Sequence, residues 1–209
     1  RERTERMSVE VERKFVCGPD IQTRLNDLAV AVCLGCAQFL DQYFDTPDCR
    51  LTLRDVWLRR RQGSWELKCR DGATRRRSAA ESRQQERGGD ALCTRYREIT
   101  ELAEVIARVR EELREGDHEQ AARVRDGQMS PSWVRELCLF PFAQFTTERC
   151  SYILPMEGEE EEVEGGGTRV DLDRTDFGFC VGEIEVLVQS PEEMDSALRK
   201  IERTAQRLG

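Results

Sequence analysis

Charged and apolar side chains alternate along residues 8–16, which predicts a β-strand there. Because successive side chains of a strand point to opposite faces, Glu10, Glu12 and Lys14 share one face. Val11 and Phe15 lie on the other face. Taken alone, this segment is better described as the solvent-facing side of a half-buried strand.

Four later segments repeat the alternation, each with a charged face and a mostly apolar face. Their charged faces carry Trp57, Arg59 and Arg61; Glu66 and Lys68; Arg169, Asp171 and Asp173; and Glu183 and Glu185. An open sheet with its charged face in water satisfies this pattern. Acidic and arginine pairs spaced by two favour a closed barrel instead, with the charged faces lining the lumen. We therefore predict an α+β fold in which the strands close into an antiparallel barrel with helices packed outside.

The same periodicities predict the other elements. Strands are expected at about 8–16, 37–45, 55–61, 64–70, 94–100, 132–140, 143–154, 168–173 and 180–188. Helices are expected at about 19–31, 101–115 and 191–208. Residues 71–93, with almost no large apolar group, predict a flexible surface loop. We expect an N-terminal extension at 1–7 and one domain over 8–209.

Composition restricts the class of function. The 209 residues carry a net charge of −8, which argues against nucleic acid or an anionic membrane as the main partner. No apolar stretch approaches a membrane span, and the charged start, Arg1 to Arg6, predicts no secretory signal. Nine cysteines at scattered spacings suit free thiols in a reducing cytosol better than a disulfide framework. The predicted location is therefore cytoplasmic.

The mixed charges of these faces indicate a ligand that brings charges of both signs. A lumen lined by like charges is difficult to stabilise when empty, since burial disfavours ionised groups. Carboxylate oxygens suit Mg²⁺, with Mn²⁺ as the alternative, and arginine forks suit phosphate oxygens. The complementary ligand is a polyphosphate with its metal.

Several motifs resemble those of the CYTH superfamily, the triphosphate tunnel metalloenzymes. The motifs are Val11-Glu12-Arg13-Lys14-Phe15, Tyr43-Phe44-Asp45-Thr46-Pro47, Trp57-Leu58-Arg59-Arg60-Arg61, Trp65-Glu66-Leu67-Lys68, Arg169-Val170-Asp171-Leu172-Asp173 and Val181-Gly182-Glu183-x-Glu185. The similarity runs from about residue 8 to 209. Within the superfamily it is greatest to the subfamily that hydrolyses thiamine triphosphate.

The resemblance implies that the closed barrel is an eight-stranded antiparallel tunnel, and it also implies a function and a set of site residues. The implied activity is Mg²⁺-dependent hydrolysis of thiamine triphosphate to the diphosphate, by a monomer acting on this small molecule. The implied metal ligands are Glu10, Glu12, Asp171, Glu183 and Glu185, with Glu98 and Asp173 as further candidates. The implied substrate-binding residues are Lys14, Trp57, Arg59, Arg61, Lys68 and Arg149, and the implied catalytic residues are Lys14, Tyr43 and Lys68.

Two alternatives stay open from the sequence. The first is another enzyme of the superfamily, an inorganic triphosphatase or an adenylyl cyclase. The second is a non-catalytic module that binds polyphosphate. Members of the superfamily continue past the final helix into a strand with a lysine that faces the tunnel, whereas this chain ends at Gly209. The resemblance therefore predicts a final strand that this sequence lacks.

Overall fold

The computed structural model describes residues 8–28, 31–70, 93–114, 131–155 and 167–209. The strands are β1 Val9–Val16, β2 Val32–Asp45, β3 Val56–Arg61, β4 Ser64–Arg70, β5 Thr94–Ile99, β6 Phe140–Leu154, β7 Thr168–Thr175 and β8 Cys180–Val188. The helices are α1 Ile21–Asp27, α2 Leu102–Arg114, α3 Ser132–Glu136 and α4 Met194–Leu208. The strands form a closed antiparallel barrel in the order β1-β5-β4-β3-β2-β6-β7-β8, which confirms the predicted fold class.

Two predicted segments lie wholly or almost wholly outside the described residues. The N-terminal extension at 1–7 lies outside the described residues, as does the predicted loop at 71–93 except for its last residue. The assignment of 8–209 to one domain stays a prediction. Among the described residues, no helix is long and apolar enough to cross a membrane.

The first of two compact units comprises Arg1–Gln38, Asp71–Arg97 and Thr147–Gly209. Its core is formed by the apolar faces of β1, β7 and β8, represented by Val11, Val170 and Ile184. These side chains pack against Leu25 of α1 and Ile201 of α4, both fully buried. The helices thus cover the apolar face of the strands, as the alternation predicts.

The second unit comprises Phe39–Arg70 and Glu98–Thr146. Leu58 of β3 and Leu67 of β4 pack in one cluster with Val105 and Val109 of α2. Trp133 of α3 joins the same cluster. The charged faces of β3 and β4 are again opposite to the helix-covered face.

The strand predicted at 132–140 is wrong, because α3 occupies Ser132–Glu136 and β6 begins only at Phe140. The consecutive residues Trp133 and Val134 are both buried, whereas a half-buried strand would bury only alternate side chains. The Trp133 ring lies 4.8 Å from that of Trp65, centroid to centroid. Trp133 and Val134 both join the apolar cluster of the second unit.

The expectation of free thiols is wrong for one pair of cysteines. Cys36 and Cys150, 114 residues apart, form a disulfide within the first unit. The pair was not predictable from spacing, since Cys36 belongs to a Cys33-x-x-Cys36 sequence and its partner lies on β6. The other seven cysteines form no disulfide within the described residues.

The turn after β2 is organised by the buried carboxylate of Asp45. It accepts hydrogen bonds from the backbone N–H groups of Thr46 at 2.7 Å, Leu51 at 2.9 Å and Thr52 at 2.9 Å. The Thr52 hydroxyl donates a fourth, at 2.8 Å. One side chain therefore fixes the path of the chain between β2 and β3.

Replacing Asp45 with Ala is expected to lower the free energy of unfolding by about 3 kcal/mol, because three N–H groups lose their acceptor. Urea denaturation measures this change. Asp48→Ala in the same turn is the control: its side chain is exposed, and we expect a change within about 0.5 kcal/mol. Equal stability losses in the two variants would contradict this role of Asp45.

Candidate active site

The register of the first unit places acidic and basic residues of neighbouring strands side by side. Glu12 of β1 lies opposite Glu185 of β8, and Lys14 lies opposite Glu183. On the other side of β8, Asp171 of β7 also lies opposite Glu183. Directly opposed residues have Cβ atoms within about 5.5 Å, so their charges interact strongly. The strand pairing alone therefore brings four of the predicted metal ligands together with Lys14.

Lys14 is held by two of these carboxylates. Its Nζ lies 2.7 Å from Oε1 of Glu12, which is fully buried, and it also pairs with Glu183. Burial disfavours the ammonium charge, but the two carboxylates outweigh burial and raise the pKa of Lys14. Lys14 is thus a cation at neutral pH and cannot serve as a general base there.

Arg149 of β6 forms the second basic contact of this unit. Its Nε and Nη2 donate to the two carboxylate oxygens of Asp173 at 2.6 and 2.7 Å. Burial disfavours the guanidinium charge, but the Asp173 hydrogen bonds and the charges of Asp173, Asp171 and Glu183 raise the pKa of Arg149. The fork is therefore charged and fixed in orientation.

One buried oxygen in this cluster has no hydrogen-bond donor among the residues that the structure describes. Oδ2 of Asp171 lies 2.8 Å from Nη1 of Arg149, but the two groups are not aligned as a hydrogen bond, so the contact is electrostatic. The other oxygen, Oδ1, accepts from Arg169 Nε at 3.0 Å. A buried carboxylate oxygen without a donor is a position that a hard cation can satisfy.

The chemistry of the acidic residues fits a divalent cation bound together with a ligand. Within the described ranges, no three His, Cys, Asp or Glu residues are grouped closely enough to hold an ion by themselves. Mg²⁺ is commonly bound through one or two carboxylates plus substrate phosphates, so a complete protein cage is not required. Any one or two of the carboxylates of Glu12, Asp171 and Glu183 would suffice as protein ligands of such an ion.

Glu185 carries a strongly perturbed carboxyl group. Burial is the main cause, followed by a hydrogen bond with Glu10 and by the negative charges of Glu10 and Asp171. Together these effects raise the pKa of Glu185 to about 8. Arg169, whose Nε lies 3.3 Å from Glu185 Oε1, opposes the shift. Glu185 thus retains its proton at neutral pH.

This pKa predicts how stability depends on pH in EDTA. An unfolded glutamate releases its proton near pH 4.5, whereas folded Glu185 retains its proton up to about pH 8. Because the folded state binds more protons between these values, the free energy of unfolding should fall as pH rises through this window. The check is the melting temperature from pH 5 to 8, compared with Glu10→Gln, which should flatten the decline. Identical slopes in the two proteins would contradict the Glu10–Glu185 coupling.

In the second unit, Arg59 of β3 contacts three polar partners. Its Nε lies 2.6 Å from Oε2 of Glu66 and its Nη2 lies 2.8 Å from Oε1 of Glu98. Tyr43, directly opposite on β2, interacts with the same guanidinium. Burial disfavours the charge, but these partners raise the pKa of Arg59, so it stays cationic. Glu98, a further candidate metal ligand, is here an arginine partner.

An aromatic cluster lies beside Arg59. The Tyr43 ring stacks on Phe145 at 5.7 Å and meets the edge of Trp57 at 6.3 Å, centroid to centroid. Trp57 is 37 % exposed, its indole N–H donates to Asp55 at 2.9 Å, and Lys68 is its partner on β4. An exposed aromatic face thus stands next to cationic groups.

Within each unit, the predicted residues meet on the charged face. In the first unit these are Glu10, Glu12, Lys14, Arg149, Asp171, Asp173, Glu183 and Glu185. In the second they are Tyr43, Trp57, Arg59, Arg61, Lys68 and Glu98. The sequence interpretation missed Asp41 and Phe145. Asp41 precedes Tyr43 by two residues on β2, so the period-2 alternation places both side chains on the same face and could have identified Asp41.

The chain belongs to the CYTH domain family, whose model matches residues 8–209. It is 37 % identical over 202 residues to thiamine-triphosphatase of Homo sapiens, covering 96 % of this chain and 77 % of that protein. It is 35 % identical to thiamine-triphosphatase of Macaca fascicularis with the same coverage. The predicted family is confirmed.

A solved structure supports the fold. The PH1819 protein of Pyrococcus horikoshii OT3 matches with a TM-score of 0.51 at 16 % identity, covering 96 % of this chain and 90 % of that one. At this identity the likeness concerns the fold alone.

Proposed function

We propose that this protein hydrolyses thiamine triphosphate to thiamine diphosphate and phosphate, using Mg²⁺. One observation carries the proposal: the strands that hold the carboxylates and the fixed cationic side chains belong to a chain 37 % identical to human thiamine-triphosphatase over 202 residues. The same proposal treats residues 8–209 as one domain of a monomer that acts in the cytoplasm on a small molecule, without nucleic acid or membrane.

In this proposal, the triphosphate is bound by the basic residues Lys14, Arg59, Arg61, Lys68 and Arg149. Charge-assisted hydrogen bonds to phosphate are roughly twice as strong as neutral ones, and arginine forks also fix orientation. The raised pKa values of Lys14, Arg59 and Arg149 keep these groups charged at every pH near neutrality. Their carboxylate partners hold them in place before the substrate arrives.

The proposed metal ligands are Glu10, Glu12, Asp171, Glu183 and Glu185. Their hard oxygens suit Mg²⁺, and Oδ2 of Asp171, which makes an ion pair with Arg149 but accepts no hydrogen bond among the described residues, retains lone pairs for a cation. When bound, the cation supplies neutralisation of phosphate oxygens. Mn²⁺ has the same ligand preference and is the alternative.

Hydrolysis requires water to attack the γ-phosphorus in line with the leaving diphosphate. The protein contributes mainly fixed positive charge where negative charge develops, which needs no reorganisation during the reaction. Lys14 and Lys68 are proposed to donate to phosphate oxygens in the transition state. Tyr43, beside Arg59, is proposed to orient the reacting phosphate with its hydroxyl group.

Trp57 is proposed to contact the thiamine rings. The thiazolium ring is a cation, and a cation over an indole face gains about 0.5–2 kcal/mol. The exposed face of Trp57 offers such a contact beside Tyr43. This contact would favour thiamine triphosphate over inorganic triphosphate.

A substrate panel tests the proposal. Phosphate release is measured from thiamine triphosphate, ATP and inorganic triphosphate, each with Mg²⁺ or EDTA. We expect release mainly from thiamine triphosphate and only with Mg²⁺. Preference for inorganic triphosphate, or pyrophosphate release from ATP, would indicate another enzyme of the family. Binding without any release would indicate a polyphosphate-binding module.

A further inference from the structure

The guanidinium of Arg61 is fixed by two side chains of β2. Asp41, opposite Arg61 in the register, accepts from its Nε at 2.7 Å and from its Nη2 at 2.9 Å. The Phe39 ring lies against the guanidinium plane, with its centroid 3.8 Å from Cζ. Neither the sequence motifs nor the family resemblance singled out these two residues.

Asp41 is almost completely buried, with 1 % of its surface exposed, and Phe39 is 8 % exposed. A bidentate carboxylate on one edge and a ring on one face leave the guanidinium little freedom to rotate. The remaining amino group, Nη1, has no hydrogen-bond partner in the part of the chain that the structure describes. Arg61 therefore presents one donor group in a fixed direction.

A carboxylate in a site for a polyanion has an electrostatic disadvantage. If Asp41 acted only through its charge, removing that charge would tighten binding of a triphosphate, since like charges repel. If Asp41 orients Arg61, removing it would weaken binding, because the donor must then be ordered when the ligand binds. The two roles predict changes of opposite sign.

We propose that Asp41 is a positioning residue, which with Phe39 holds Arg61 ready to donate to a phosphate oxygen. This inference rests on the proposed function, in which Arg61 binds the triphosphate. Asp41 itself makes no contact with the substrate, and its effect passes entirely through Arg61.

The test is a double-mutant cycle with Asp41→Asn and Arg61→Lys, measured as KM and kcat for thiamine triphosphate. Asp41→Asn in the natural chain is expected to raise KM about tenfold with kcat within about twofold, because binding is lost equally from ground and transition states. In the Arg61→Lys background, which lacks the fork, the same change should alter KM less than about twofold. An unchanged or lower KM for Asp41→Asn, or an equal factor in both backgrounds, would overturn the proposal.

Glu202→Gln is the matched control, because Glu202 pairs with Arg13 at 2.8 Å and neither residue belongs to the proposed site. We expect it to leave KM unchanged. If Asp41→Asn fails to fold, Asp41→Glu replaces it: it keeps the charge but displaces the fork by one methylene, and it should also raise KM.

Calorimetric titration with inorganic triphosphate distinguishes a failure of the proposed function from a failure of the role proposed for Asp41. A natural chain that neither binds nor cleaves any triphosphate overturns the proposed function and this inference together. A natural chain that binds triphosphate, with Asp41→Asn binding equally well, overturns only the role of Asp41. Weakened binding in Asp41→Asn that disappears in the Arg61→Lys background supports it.

Discussion

Replacing Glu12 with Gln should lower kcat for thiamine triphosphate by about 100-fold or more, since it removes the charge of a proposed metal ligand that also pairs with Lys14. Glu12 is fully buried, lies opposite Glu185 and holds Lys14 at 2.7 Å. Glutamine is isosteric and can still accept a hydrogen bond from Lys14, so the fold should be retained. The assay is steady-state phosphate release over a titration of Mg²⁺.

Glu148→Gln serves as the control for this prediction. Glu148 is an exposed residue of β6, and its loss should leave kcat within about twofold. A folded Glu12→Gln protein with full activity and an unchanged Mg²⁺ requirement would remove Glu12 from the proposed metal ligands.

Replacing Arg59 with Gln should lower kcat/KM for thiamine triphosphate by about 100-fold, because the proposed phosphate donor is lost and the carboxylates of Glu66 and Glu98 lose their cationic partner. Arg59→Lys keeps the charge but loses the fork, and a loss of about tenfold is expected. Both values come from initial rates at substrate concentrations below KM.

Arg60→Gln is a closely matched control, because Arg60 is the next residue on β3 and its side chain points to the opposite face. Its substitution should change kcat/KM by less than about twofold. Equal effects at the two positions would show that general positive charge, and not the fork of Arg59, governs substrate binding.

The period-2 alternation predicted the strands and their charged faces, whereas closure of the barrel was inferred from the composition of those faces and from the family resemblance. It succeeded because each of these strands buries one face against helices, as Val11 and Ile184 do against Ile201, which fixes the identity of every second residue. It failed at 132–136, where Trp133 and Val134 are consecutive and both buried. Short apolar runs of this kind do not distinguish a helix from a strand.

Partner choice within the site was only partly predictable. The alternation placed Arg59, Arg61 and Arg149 on charged faces, but it did not show that Asp41 holds Arg61 or that Asp173 holds Arg149. Such contacts depend on strand register, which links residues 20 or more positions apart. The Cys36–Cys150 disulfide likewise joins residues far apart in the sequence, 114 positions from each other.

The most direct test of the account is product analysis of thiamine triphosphate hydrolysis in ¹⁸O-labelled water with Mg²⁺. Attack of water on the γ-phosphorus predicts thiamine diphosphate without label and one equivalent of phosphate carrying a single ¹⁸O. Release of thiamine monophosphate with pyrophosphate, or of labelled thiamine diphosphate, would contradict the proposed reaction. Recovery of intact thiamine triphosphate from a protein that binds it would contradict the assignment of this chain as a hydrolase.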